Sequence, residues 1–214
     1  MKKFLRLFSA MLSLIIIFGI ATQTFAFDQG AAQRYADQYV FNYNKAYRNF
    51  KNADCTNFVS QCLYAGGLNK NSSWNYSGYY QYTSSWAVAN DLKNYLVNQQ
   101  GASYIGRWRY KAGPSNSGYW YSYVGVNNSS NIQGLGSEVI FYDWYSDGIM
   151  DHAAIVVGTN YAFQGERGEV ASFDYKRGYG DLINQHTTNR RHQIWNLDEF
   201  NYKRKTTSIY AYRV

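Results

Sequence analysis

The chain of 214 residues carries 21 Lys and Arg against 14 Asp and Glu, a formal net charge of +7, and 46% of its residues are hydrophobic. It contains no Pro-, Ser- or charge-rich linker, so its length predicts a single domain. The basic balance is too weak to indicate a nucleic-acid partner, and the short basic run at 203–205 is more typical of a solvated turn than of a binding patch.

Residues 1–26 have the pattern of a secretory signal peptide. Three basic residues precede the apolar run at 11–21, and the segment closes on Thr24-Phe25-Ala26. An uncleaved membrane anchor is the alternative, but the run is shorter than the roughly 20 residues that a spanning helix needs. We therefore expect cleavage after Ala26, leaving residues 27–214 as one secreted, extracellular or cell-wall domain. Cleavage removes three basic and no acidic residues, and the remaining net charge of +4 is compatible with an anionic cell wall.

Three helices are predicted in the first half of the chain. Apolar and aromatic residues recur at spacings of three and four from 31 to about 50. A second helix at 55–65 follows Asp54, a good N-cap residue, and stops at Gly66-Gly67. The spacing predicts a third helix over 85–98.

The second half of the chain is β-prone. The Gly-, Ser- and Asn-rich stretch at 111–136 is typical of a loop, with strands at 104–110 and 119–126. Five short runs separated by Gly, Asp and Asn then predict strands. These runs are 138–142, 153–157, 170–175, 182–183 and 208–212. Helices followed by strands predict an α+β fold.

The only two cysteines, Cys55 and Cys62, lie seven positions apart on the second predicted helix. A rise of 1.5 Å per residue separates their Cα atoms by about 10 Å, whereas a disulfide needs less than about 7 Å. No paired CxxC or local pair of histidines accompanies them, so we expect no metal site. The pattern therefore predicts two free thiols.

The two thiols have different surroundings. Cys62 falls on the apolar side of the helix with Phe58 and Val59, which is typical of a small core residue. Cys55 is the first residue after the N-cap, where the positive end of the helix dipole lowers a thiol pKa from about 8.5. Cys55 is therefore the candidate nucleophile, although its position is also compatible with the mere start of a buried helix.

A nucleophilic cysteine needs a base, and the chain has three histidines. His152 lies at the start of the strand predicted at 153–157, where its side chain can face a helix N-terminus. His186 follows the strand predicted at 182–183 and could orient the first imidazole by accepting a hydrogen bond. His192, next to two arginines, is more typical of a surface residue. A lone histidine is usually structural, but the order Cys, His, polar residue is more specific.

The segment Asp54-Cys-Thr-Asn-Phe-Val-Ser-Gln61 resembles the cysteine-bearing motif of the putative amidase domain family, a branch of the papain-like, NlpC-related cell-wall hydrolases. Further similar segments cover almost all of the chain after the signal peptide. They are 35–39 with Asn44 and Tyr47, 65–67, 139–144, 147–148, 151–152, 185–187 and 210–214. Two departures are the segment 144–147, which the family usually has richer in Asp and Gly, and Lys45 in place of a proline.

The resemblance implies a papain-like (NlpC-like) fold in which N-terminal helices pack on a C-terminal antiparallel β-sheet. It implies Cys55 as nucleophile, His152 as base and His186 as third member of the triad, with no metal or organic cofactor. The residues Asp143, Asp147 and Asp151 lack the alternating ligand spacing of a calcium loop and are more typical of a turn.

The expected reaction is attack of the Cys55 thiolate on an amide, with a thioester intermediate. The oxyanion is expected to bind the backbone N–H of Cys55 and one further donor, for which Tyr47, Asn49 and Asn57 are candidates. We expect a monomer that contacts the cell wall peripherally and cuts peptidoglycan, as an N-acetylmuramoyl-L-alanine amidase or a stem-peptide endopeptidase.

Other functions stay open at this point. The enzyme could be a secreted cysteine peptidase or acyltransferase that acts on protein or small amides outside the cell wall. The aromatic content of 19% is also compatible with a silent module that binds glycan or peptide, or with an adhesin. Retention of both Cys55 and His152 argues against a binding module, which has no chemical need for the pair.

Overall fold

The computed structural model describes residues 27–111, 122–125, 138–162, 179–197 and 200–214. The predicted signal peptide at 1–26 and the strand predicted at 170–175 therefore lie outside the described residues. Within the described part of the chain, no helix is both long and apolar enough to cross a membrane.

The described residues confirm the predicted α+β class, with helices before most of the strands. The helices are α1 (Gln29–Tyr39), α2 (Cys55–Ala65), α3 (Ser84–Ala87) and α4 (Ala89–Gln99), with a short 3₁₀ turn at Lys51–Ala53. The strands are β1 (Tyr76–Gly78), β2 (Gln81–Tyr82), β3 (Ser103–Lys111), β4 (Ser122–Gly125), β5 (Glu138–Asp143), β6 (His152–Ala162), β7 (Tyr179–Gln185), β8 (Arg190–Ile194) and β9 (Ser208–Arg213).

One seven-stranded sheet organises the described residues. Its strand order is β4-β3-β9-β5-β6-β7-β8, and every neighbouring pair is antiparallel. The strands β1 and β2 form a separate hairpin. In the register of β5 and β6, Tyr142 pairs with His152, so His152 is the first residue of its strand.

Both faces of the sheet are buried, and alternate residues of β5 point to opposite sides. Phe141 belongs to the core cluster that includes Phe58 and Val59 of α2. Ile140 belongs to a second cluster, together with Trp195 and other residues from the end of β8 onward. The helices therefore cover one face of the sheet, and the segment after β8 closes part of the other.

The helix predicted at 55–65 is confirmed at both ends, but the other two differ from prediction. The first helix ends at Tyr39 instead of continuing to about residue 50. In the turn that follows, the side chain of Asn44 accepts a hydrogen bond from the Ala46 N–H at 2.9 Å and donates one to the Tyr35 hydroxyl at 2.9 Å. The predicted third helix is broken at Val88, whose extended backbone (φ −117°, ψ 125°) separates α3 from α4.

Most predicted strands within the described residues are present. Strands occur at the runs predicted at 104–110, 138–142, 153–157, 182–183 and 208–212, and β4 covers the described part of the run at 119–126. The hairpin of β1 and β2 and the edge strand β8 were not predicted.

Truncation on either face of β5 should destabilise the protein. We expect Phe141→Ala and Ile140→Ala each to lower the free energy of unfolding by about 2–5 kcal/mol, because both side chains are fully buried. Urea unfolding followed by tryptophan fluorescence measures this, with Tyr80→Ala as the control because that side chain is 80% exposed. A near-zero effect of Ile140→Ala would contradict the burial of the second face.

Candidate active site

Cys55 is the first residue of α2 and is only 8% exposed. The hydrogen-bond ladder of this helix starts with the Phe58 N–H, which donates to the Asp54 carbonyl at 2.9 Å. The N–H groups of the three preceding residues therefore come before the ladder, as at any helix N-terminus. They place the positive end of the helix dipole next to the Cys55 sulfur.

Asp54 occupies the N-cap position, but its side chain does not cap the helix. Its Oδ1 accepts hydrogen bonds from the Phe50 N–H at 2.8 Å and from Asn57 Nδ2 at 2.9 Å. Its Oδ2 accepts from His186 Nδ1 at 2.5 Å. This buried carboxylate therefore links the start of α2 to the end of β7. It does not cap the first N–H groups of the helix, which lie at Cys55.

His152 contacts Cys55 from the first position of β6. Its imidazole is buried and lies close enough to the Cys55 thiol for each group to shift the pKa of the other. The indole of Trp144 stacks on the imidazole, with ring centroids 5.6 Å apart and an interplanar angle of 28°. The predicted nucleophile and the predicted base are therefore neighbours, and an aromatic residue that was not predicted covers the base.

The two thiols differ in acidity as well as in position. Burial raises the pKa of Cys55, but the charge and hydrogen bond of His152, the Ala153 N–H and the Thr56 hydroxyl outweigh it and lower the pKa from 9.0 to about 7. Burial raises the pKa of Cys62 well above 9.0. Cys62 is fully buried in the helix-side core, as predicted. Neither cysteine is in a disulfide, also as predicted.

The pKa of His152 moves in the opposite direction. Burial and the nearby Arg190 lower it, but the charge and hydrogen bond of Cys55 and the hydrogen bond of Gln185 outweigh them, so the pKa lies above 6.5. A lowered thiol pKa and a raised imidazole pKa favour a thiolate–imidazolium pair, whose two titrations belong to the pair and not to either residue.

The residue that orients His152 is Gln185. Its Oε1 lies 3.1 Å from His152 Nε2, and its own Nε2 donates to the Thr188 carbonyl at 3.0 Å. Because that second bond fixes the amide orientation, Oε1 is an acceptor and His152 Nε2 carries a proton. The other ring nitrogen, Nδ1, is therefore left for Cys55.

The geometry corrects the prediction that His186 orients the base. Its Nδ1 bonds Asp54, its Nε2 lies 3.1 Å from the Tyr39 carbonyl, and its ring stacks on Phe58 at 4.0 Å. Both ring nitrogens of His186 are therefore engaged by Asp54 and Tyr39, and neither is available to orient His152. Strand β7 ends at Gln185, and successive residues of a strand point to opposite faces. The residue whose side chain reaches the base is therefore Gln185, which precedes His186.

Three side chains were predicted as oxyanion donors, and the structure places them differently. Asn57 donates to the Arg48 carbonyl and to Asp54, so both amide hydrogens are engaged. Tyr47 packs against the rings of Tyr76 and Trp86. Asn49 is exposed, and its side chain accepts from the Lys51 N–H in the turn before α2.

His192 and the acidic loop lie outside this group. His192 was predicted to be a surface residue, but it is half-buried in β8, where its Nε2 lies 2.8 Å from Asp37 Oδ1. The carboxylate of Asp143 accepts from the N–H groups of Asp147 and Gly148, which is the predicted turn. Among the described residues, no group of three or more His, Cys, Asp or Glu is placed to hold a metal ion.

The model of the putative amidase domain family matches residues 26–211, so the chain belongs to that family. Membership indicates an enzyme that hydrolyses amide bonds. Over 183 residues the chain is 29% identical to "Uncharacterized protein YhbB" of Bacillus subtilis (strain 168), covering 83% of this chain and 47% of that protein. It is 33% identical over 143 residues to "Uncharacterized protein YjcM" of the same organism, covering 64% of this chain and 29% of that protein.

The chain therefore spans less than half the length of these curated relatives. No solved structure matches it.

Thiol alkylation should distinguish the two cysteines. We expect iodoacetamide to modify Cys55 with a pH midpoint of about 7, and Cys62 to react far more slowly because it is fully buried. In His152→Ala the midpoint should rise to 9.0 or above, because burial remains and the cationic partner is lost. Mass spectrometry of the two cysteine peptides measures both rates. Equal labelling of Cys55 and Cys62 would contradict the assignment.

Proposed function

We propose that this member of the family is a secreted cysteine hydrolase that cleaves an amide bond in peptidoglycan, either beside the muramoyl lactyl group or within the stem peptide. The observation that carries the proposal is the contact of Cys55 with His152, which Gln185 holds in one tautomer. A nucleophile, a base and an orienting group in this order are the parts that acyl transfer through a thioester requires.

The mechanism follows from the positions of the protons. The Cys55 thiolate attacks the amide carbon, and the carbonyl electrons move to the oxygen. Collapse of this intermediate expels the amine, which takes its proton from Nδ1 of His152, and leaves a thioester. The neutral Nδ1 then removes a proton from water, the hydroxide attacks the thioester, and collapse returns the thiolate and the imidazolium.

The oxyanion formed in both steps needs donors near the sulfur. We assign the backbone N–H of Cys55, because the first N–H groups of α2 come before its hydrogen-bond ladder and the helix dipole favours negative charge there. A second donor is also needed, for which Tyr47, Asn49 and Asn57 are the candidates. Asn57 is the weakest of the three candidates, since both of its amide hydrogens are engaged.

The proposal also includes a papain-like, NlpC-like fold. A helix that presents a cysteine at its N-terminus to a histidine on an antiparallel sheet supports a papain-like, NlpC-like arrangement. The chemistry assigned to Cys55, His152 and Gln185 uses only protein groups, and we propose that no metal or organic cofactor takes part.

The substrate and the location are inferred from the charge of the chain and from its N-terminal pattern. The pattern of residues 1–26 supports export, and the net charge of +4 after its removal is compatible with an anionic wall. We propose that residues 27–214 act as one monomeric domain that associates with the wall only peripherally. A cysteine peptidase or acyltransferase acting on other peptides is the alternative.

Muropeptide digestion tests the reaction and the substrate together. We expect the wild-type protein to release fragments from purified muropeptides, and Cys55→Ala and His152→Ala to lose about 10³-fold or more in rate, as loss of a catalytic member does elsewhere. Mass spectrometry of the fragments identifies the bond that is cut. The matched control is Cys62→Ala, which removes the other thiol and should retain activity.

Other outcomes would change the function. If the wild type binds muropeptides without cleaving them, and Cys55→Ala binds them equally well, the proposed hydrolase activity is contradicted and a binding module is favoured. Cleavage of casein-derived peptides but not of muropeptides would reject the substrate and leave the mechanism intact.

Gln185 should matter through His152 and not through stability. We expect Gln185→Ala to lower kcat by about 10–100-fold with little change in KM, because the imidazole loses its orienting acceptor. Gln185→Glu restores an acceptor, so it should recover part of the rate. The negative charge of the introduced carboxylate raises the pKa values of both Cys55 and His152. Both limbs of the pH–rate profile should therefore move to higher pH. The control is Gln193→Ala, a buried glutamine on β8.

Steady-state kinetics over a range of pH measures these effects. If Gln185→Ala and Gln193→Ala lose kcat equally and the pH–rate profile of Gln185→Glu is unchanged, Gln185 has only a structural role.

A further inference from the structure

The hairpin of β1 and β2 presents two aromatic rings to solvent. Tyr79 and Tyr80 form its turn, and they are 56% and 80% exposed. Their rings lie 4.8 Å apart in an edge-to-face arrangement, and neither ring belongs to a core cluster. Because the core does not use these two rings, their faces are available to a ligand.

A guanidinium extends this surface. The Cζ of Arg48 lies 5.1 Å from the ring centroid of Tyr79, 5.4 Å from that of Tyr80 and 4.9 Å from that of Phe50. Its Nη1 donates to the Tyr82 hydroxyl at 3.4 Å. Among the described residues, no carboxylate forms an ion pair with this guanidinium. These five side chains, here called the aromatic platform, combine apolar ring faces with the several N–H donors of an arginine.

The backbone of the platform is bound to the first turn of α2. The Arg48 N–H donates to the Tyr76 hydroxyl of β1 at 2.7 Å, and the Arg48 carbonyl accepts from Asn57 Nδ2 at 3.0 Å. The Phe50 N–H donates to Asp54 Oδ1 at 2.8 Å. The platform is therefore held at the end of α2 that carries the nucleophile.

The platform and the base lie on opposite sides of α2. Each residue of a helix advances by about 100° around the axis, so Asn57 projects about 200° from Cys55. Cys55 faces His152 on β6. Asn57 faces the Arg48 carbonyl and accepts a hydrogen bond from the indole N–H of Trp86. A substrate amide at the sulfur therefore has the imidazole toward one side and the platform toward the other.

The proposed reaction assigns one fragment of the substrate to each side. His152 gives a proton to the departing nitrogen, so the leaving amine lies on the imidazole side. The acyl fragment stays bound to Cys55 as the thioester and extends away from the imidazole. The platform is thus a subsite for the acyl fragment.

The chemistry of the platform fits a sugar ring. A pyranose presents a flat face of C–H groups bordered by hydroxyls, and an N-acetylated sugar adds the oxygen of its acetamido group. Tyrosine rings supply broad apolar faces with polar tips, and a guanidinium donates charge-assisted hydrogen bonds to oxygen acceptors. The platform carries both kinds of group on one surface.

We propose that the aromatic platform binds an N-acetylated sugar ring of the acyl fragment, with Tyr79 and Tyr80 against its C–H face and Arg48 donating to its oxygen atoms. The proposal rests on the proposed amide hydrolysis, because that reaction sets the direction of the substrate. The substrate class is thus an amide on a glycan. The bond cut is the one beside the muramoyl lactyl group, where only the lactyl unit separates the sugar from the reacting carbonyl.

The test compares two synthetic substrates that carry the same stem tripeptide on a lactyl amide. In one, the lactyl oxygen bears a disaccharide of N-acetylglucosamine units, and in the other it bears a methyl group. We expect the wild type to cleave the sugar-bearing substrate with a kcat/KM about tenfold higher or more, which one aromatic contact and one charge-assisted hydrogen bond together provide. Mass spectrometry of the products identifies the bond, and cleavage within the stem would overturn the assigned position.

Variants locate the preference on the platform. Tyr79→Ala, Tyr80→Ala and Arg48→Gln should each reduce it through a higher KM for the sugar-bearing substrate, with little change for the methyl ether. The Tyr79→Ala, Tyr80→Ala double variant should abolish it. The ratio of the two substrates cancels any common effect on the chemistry. The matched control is Tyr104→Ala on β3, whose side chain has the same 56% exposure as Tyr79 and which should keep the preference.

Binding of the same two compounds to Cys55→Ala, by isothermal titration calorimetry, separates this proposal from the proposed reaction. Turnover by the wild type without a preference for the sugar, or a preference that survives in the double variant, would overturn the platform and leave the hydrolase standing. Tighter binding of the sugar-bearing compound that the two tyrosine substitutions abolish, without turnover by the wild type, would support the sugar site and reject the reaction. Absence of both turnover and selective binding would overturn both.

Discussion

The buried carboxylate of Asp54 is the contact on which the active-site geometry depends. It joins the turn before α2, the side chain of Asn57 within α2 and the ring of His186 after β7. Three separate parts of the chain therefore meet at the residue that precedes Cys55. Removing one partner of a buried hydrogen bond leaves the other polar group unsatisfied, which usually costs about 1–3 kcal/mol. Such a contact fixes where the helix begins and hence where the sulfur lies relative to the sheet.

Gln185, the last residue of β7, and His186, which follows it, serve opposite sides of this arrangement. Gln185 holds the base through His152 Nε2, whereas His186 holds the nucleophile's helix through Asp54. Neighbouring residues of a strand face in opposite directions, so one short segment can position both partners at once. A displacement of β7 would therefore disturb Cys55 and His152 together.

The sequence predicts what local signals encode, and it fails where tertiary contacts decide. The limits of α2 were predicted from Asp54 and Gly66-Gly67; in the structure Asp54 holds the N-cap position without capping through its side chain, and Gly67 (φ 97°) takes the left-handed conformation beyond the helix. The first helix was extended too far because Tyr43 and Tyr47 continue the helical spacing, yet they lie in a loop and pack on His186 and Trp86. Gln185 was missed because the predicted strand ended two residues earlier, so the alternation that separates it from its neighbour could not be applied.

The chemistry of Cys55 and His152 explains why their contact must be rigid. Burial raises the pKa of a thiol, as it does for Cys62, and at Cys55 the charge and hydrogen bond of His152, followed by the Ala153 N–H and the Thr56 hydroxyl, reverse that effect. The reactive thiolate therefore exists only while α2 and β6 keep their separation. Val59 of α2 and Ile155 of β6 belong to the same buried cluster, and Trp144 stacks on the imidazole. The hydrophobic packing thus maintains the distance that the ion pair needs, and the acidity of the nucleophile is a property of the packed interface and not of the cysteine itself.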